Sequence, residues 1–163
     1  MNENATIGEA IASQYDKIWE MMFDAIDNAS DELWKYFKNK WGYAWNSFHV
    51  VEAIFYYTLD DPKGMVWGER ANINWEKDNG AKSLEKMVKI PKELVREFID
   101  EIRDSEHMKI KEKPDEYFLS KDDFGFFVSN LERQIYSIRH AAHHIGELNK
   151  VLRNFNAKRI NWQ

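Results

Sequence analysis

The chain has 163 residues and no cysteine, and 23 Lys plus Arg against 28 Asp plus Glu leave a net charge of −5. That length suits one domain, residues 1–163, with a single core, and the negative charge opposes a polyanionic partner, so no nucleic acid is expected. Without cysteine the chain has no disulfide framework, thiolate metal site or thiol nucleophile of its own, and any metal must be held by His, Asp or Glu.

The first residues, MNENATIGEA, have neither a basic start nor an apolar run. No stretch approaches the ~18 apolar residues of a membrane span, so the expectation is a cytoplasmic protein that does not engage membranes. Sparse glycine (7) and proline (3) beside 15% aromatic residues suit helices packed on a bulky core.

From Thr6 onward Ile7, Ile11, Tyr15, Ile18, Met22 and Ile26 recur at the helical period and predict a first helix of about six turns. Ser30, followed by Asp31 and Glu32, reads as the cap of a short helical segment through Leu33, Trp34 and Phe37 that ends near Gly42. The segment AWNSFHVVEAIFYYTLDD is apolar on most faces, has no turn signal and is closed by Asp61-Pro62; it predicts a second, largely buried helix.

Residues 61–83 hold Pro62, Gly64, Gly68, Asn72, Asn74, Asn79 and Gly80, which predicts a long loop. Trp67 and Trp75 inside it are either a lid over a pocket or pins that hold the loop down. Pro91 opens a third predicted helix that runs to Pro114, with Leu94, Phe98, Ile102, Met108 and Ile110 inward and His107 on the solvated side. A last helix carries Leu131, Ile135, Ile138, Ala142, Ile145, Leu148, Leu152 and Phe155 as one apolar stripe, and the basic tail NAKRINWQ is expected to fray. Four such helices predict an all-α fold, a four-helix bundle with a long loop after the second helix.

Three of the five histidines fall in RHAAHHIGELN as His140, His143 and His144. His140 and His144, one turn apart and ~40° apart around the axis, converge on one ion, whereas His143 points ~100° away. A metal needs a third ligand from another helix. His49 is the one histidine of the second helix, and a histidine in so apolar a segment requires a hydrogen bond or a metal. The residue after His140 is Ala141 rather than a zincin glutamate, and the acidic-x-x-His pairs of carboxylate di-iron bundles are represented only by Asp104 with His107. No P-loop, dinucleotide fingerprint or GxSxG is present.

A long first helix, FHVVEAIFYY on the second and HAAHHIGELN on the last resemble the DinB-like superfamily, also called the DinB/YfiT-like metalloproteins. His49, His140 and His144 match the three ligand positions of its common pattern, His143 its non-ligating histidine, and Gly146 its glycine. Ile145 and Glu147 replace an arginine and a glutamine. The resemblance implies a zinc or nickel ion on three imidazoles at one end of a four-helix bundle, a homodimer, and transfer of a low-molecular-weight thiol to a small-molecule substrate. A three-His metal keeps an open position and makes bound water or thiol nucleophilic near neutral pH. Glu52, one turn beyond His49, is the candidate catalytic residue, to orient a ligand or shuttle a proton. His143 and Glu147 are candidates to support the ligands, and Tyr56 to line the pocket. Metal-dependent hydrolysis and a non-catalytic metal- or ligand-binding bundle remain alternatives.

Overall fold

A computed structural model describes residues 5–38, 41–78 and 80–163. Helix α1 spans Ile7–Asn28. Thr6 accepts the Glu9 N–H at 3.2 Å while the Glu9 carboxylate accepts the Thr6 N–H at 3.0 Å, a reciprocal cap that satisfies two donors with no partner inside the helix. Ile11, Tyr15, Ile18, Met22 and Ile26 are buried, as their spacing predicts. Ser30 caps the one-turn α2, Asp31–Trp34, accepting the Leu33 N–H at 3.2 Å. This helix stops well short of Gly42. Phe37 lies instead on a two-residue strand β1 (Phe37–Lys38), paired antiparallel with β2 (Trp41–Gly42).

Helix α3 spans Tyr43–Thr58 and is buried on nearly every side, which explains its weak amphipathic pattern. The long connection after it holds a 3-10 turn, Glu69–Ala71, and ends sooner than expected, because α4 spans Gly80–Met87. Its buried Ser83 and Met87 lie one turn apart, too short a pattern to outweigh the neighbouring turn-formers. Asn79 lies outside the described residues.

Pro91 caps α5, Lys92–Ile102, rather than sitting within it. The helix then widens into a π-helical turn, Arg103–His107, before α6, Met108–Glu112. The extra residue of a π turn advances the register. His107 is therefore turned into the core at 7% exposure and Met108 out of it at 44%, the reverse of an uninterrupted helix. After the one-turn α7, Asp115–Leu119, the chain reaches α8, Asn130–Asn154.

Ala141, Ile145, Leu148 and Leu152 bury the second half of α8, but its first half buries Arg133, Gln134 and Ser137, while Ile135 is 50% exposed. Buried polar groups need partners, and Gln134 and Arg133 find theirs on other elements. Gln134 accepts from the Tyr15 hydroxyl at 2.8 Å and donates to the Tyr57 carbonyl at 2.9 Å. Arg133 donates to the Tyr117 hydroxyl at 2.8 Å and lies 3.3 Å from the Asp122 carboxylate. Phe155, expected on the stripe, lies past the helix end and is partly exposed. The tail is pinned rather than frayed: the Ile160 N–H reaches Asn149 at 3.1 Å and the Asn161 N–H reaches Asp24 at 2.9 Å, while Trp162 projects, 82% exposed.

The chain is all-α apart from the small ribbon. Its broadest helix contact is α3 along α8; α1 packs on α8 and on α6, and α3 on α5. Gly8 allows the α1–α6 approach, since a Cβ there would lie 2.7 Å from the Lys111 carbonyl oxygen. Among the described residues, no helix is long and apolar enough to cross a membrane.

Candidate metal centre

The α3–α8 seam carries His49 from one helix and His140 and His144 from the other. Ring centroids are 5.3 Å apart for His49 and His140, 5.1 Å for His49 and His144, and 4.6 Å for His140 and His144. One nitrogen from each lies within 4.8 Å of the others, so this group can hold a metal ion, and among the described residues no fourth His, Asp or Glu joins it. His140 and His144, paired by their spacing, therefore meet His49, the one histidine of the apolar second helix.

Glu147 sets the orientation of His144. Its Oε2 lies 2.7 Å from His144 Nδ1 and accepts from the Asn46 amide at 3.4 Å. With Nδ1 donating to a carboxylate, His144 Nε2 presents its lone pair to the group, 3.2 Å from His140 Nε2. Two imidazole lone pairs that close require a proton or a cation between them, so the donor set fits a divalent ion. Burial, reinforced by the neighbouring imidazoles, pushes the pKa of both His49 and His140 down to about 4, so each is neutral and able to ligate at neutral pH. His143 points outward with its side chain 67% exposed, 3.7 Å from Glu147 Oε1. His143 does not join the trio.

Glu52 is buried, and its Oε1 accepts the Gly68 N–H at 2.6 Å, clamping the long loop onto α3. Burial raises its pKa to about 7, against the opposing pull of the Gly68 N–H and the Arg70 charge. It lines the same cleft as His49. Tyr56 packs on Tyr57, Trp67 and Phe124 and lines none of the site's clefts, because its ring supports Trp67 from behind.

The two loop tryptophans are pins and walls at once. Trp67 lies 6.2 Å from the His49 ring, Trp75 meets Trp45 edge-on at 5.2 Å, and Trp45 stacks beside His49 at 6.1 Å. With Phe37, Leu84 and Met87 they wall a cleft of about 710 Å³ on the His49 side. A second cleft of about 600 Å³ opens on the His144 side, lined by Asn46, His143, Glu147 and Lys150. Sequence reading passed over Asn46 and Trp45, although each stands one helical turn before His49 and so shares its face.

Gly68 makes this arrangement possible. Its φ is +83°, and a Cβ would lie 2.9 Å from the Ile73 carbonyl oxygen and 3.1 Å from the Trp75 indole nitrogen. Gly68→Ala is expected to destabilise the chain by about 2 kcal/mol in urea unfolding and to change the near-ultraviolet circular dichroism of the displaced indole.

Compared with protein-family profiles, curated proteins and solved structures, the chain matches none.

Proposed function

We propose that this chain is a divalent-metal-dependent enzyme that transfers a low-molecular-weight thiol to a small electrophile. Three neutral or orientable imidazoles, from two helices and without a fourth protein ligand among the described residues, carry the reading. His49, His140 and His144 would hold a zinc or nickel ion, which would supply the Lewis acidity that makes a thiol or water nucleophilic near neutral pH. The chain's own groups do the rest. Glu147 fixes the His144 tautomer; Glu52, titrating near neutrality beside His49, exchanges the proton; and the indoles of Trp67 and Trp75 keep water from the apolar side. The thiol comes from outside, since the chain has no cysteine.

The packing of α1, α3, α5–α6 and α8 supports a four-helix bundle of the DinB-like type, and we extend the proposal to a homodimer in the cytoplasm. The test is zinc and nickel titration of chelator-treated protein followed by plasma mass spectrometry, then conjugation of chlorodinitrobenzene with and without a small thiol. One ion per chain and thiol-dependent conjugation are expected. Metal-dependent, thiol-independent turnover of an ester would establish a hydrolase instead, and no ion uptake would leave a non-catalytic bundle.

A further inference from the structure

The two clefts that flank the three histidines differ in chemistry. The His144 side is polar, with Asn46, Glu147 and Lys150. On the His49 side the walls are Phe37, Trp45, Trp67, Trp75, Leu84 and Met87, around a volume of about 710 Å³, within the roughly 300–1,000 Å³ of small-molecule sites. Glu52 and His49 are the ionisable groups of its lining, and no Lys, Arg or Asp reaches it among the described residues. Trp75 remains 46% exposed at this cleft.

The shape of the walls narrows the occupant. Trp75 and Trp45 meet with their planes at 73°, so they form a corner instead of a closed stack. Such a corner offers one indole face to a flat ring and a second to its edge, the geometries aromatic pairs favour. An anionic ligand would lose its hydration with no countercharge, because no Lys or Arg lines the cleft among the described residues, and a cation would find only the Glu52 carboxyl, whose Oε1 accepts the Gly68 N–H. A peptide would leave its backbone groups unpaired against these walls.

We infer that this cleft binds an uncharged, planar, apolar small molecule, such as a substituted aromatic ring, with one edge against His49. That this molecule is the electrophilic substrate rests on the metal-enzyme reading; its binding does not require the metal. The loop and α4 supply the discriminating surfaces, Trp67 and Trp75 from one and Leu84 and Met87 from the other.

Neutral N-phenylnaphthylamine tests this, titrated into the full chain before and after zinc loading and followed by its own fluorescence and by energy transfer from tryptophan. We expect one saturable site in both states, and binding at least about tenfold weaker for the anionic analogue anilinonaphthalene sulfonate. Leu84→Arg, at a half-buried position of α4, and Trp75→Ala, at a partly exposed one, should each weaken the neutral probe by about tenfold, with far-ultraviolet circular dichroism unchanged and zinc uptake retained. Non-saturable binding, equal affinity for the anion, or indifference to both substitutions would overturn the inference. Zinc uptake without probe binding refutes the cleft and spares the metal centre; probe binding without zinc uptake refutes the metal centre and spares the cleft.

Discussion

His144→Ala is expected to weaken zinc binding by about a thousandfold, whereas His143→Ala changes it by less than about threefold. The two residues are adjacent in sequence and equally able to ligate, so composition cannot separate them. Geometry does. His144 Nε2 lies 3.2 Å from His140 Nε2, and its other nitrogen is held at 2.7 Å by Glu147; His143 has its side chain 67% exposed and lies 3.7 Å from the far oxygen of the same carboxylate. His49→Ala should match His144→Ala even though it lies on a different helix, since its ring is within 5.3 Å of both partners. Calorimetric titration of the three variants with zinc decides the point. Equal losses from His143→Ala and His144→Ala would overturn the ligand set and favour the exposed group His143, His144 and Glu147.

The histidine constellation was legible from helical spacing on α8 and from a single histidine set in the apolar α3. His140 and His144 share a face in any α-helix, and His49 needed only to lie on a helix facing them. The same period located α1, α3 and α8. What escaped depends on distant chain. Arg133 and Gln134 are buried on a face read as apolar because their partners, Tyr15, Tyr57, Tyr117 and Asp122, come from four other places in the sequence. The exchange of His107 and Met108 follows from the π turn, which no local residue type announces. Glu52 stood on the correct face, but its acceptance of the Gly68 N–H requires the loop to fold back over α3. The apolar cleft is the furthest from sequence, since its walls combine β1, α3, the loop and α4.

Glu52→Gln should stabilise the metal-free protein at about pH 8 by about 3 kcal/mol and have no effect below about pH 4. The sign follows from a folded-state pKa raised from 4.5 to about 7, chiefly by burial. Between those values the unfolded chain has lost a proton that the folded chain keeps, so the wild type loses stability as pH rises, and the loss is complete once the folded carboxyl ionises. Glutamine retains an oxygen to accept the Gly68 N–H, so the substitution removes the buried charge and leaves the clamp. His49 and His140 act in the opposite direction. Their pKa values fall from 6.5 to about 4, so acid protonates the unfolded chain first and stability is lost as pH drops through that window. Metal-free wild type should therefore be most stable near about pH 6.5, while Glu52→Gln should hold a plateau above it. Urea midpoints measured across this range read both curves. A constant offset between them at every pH would show that Glu52 has the same pKa folded and unfolded, and would remove it as the proton-exchanging group beside His49.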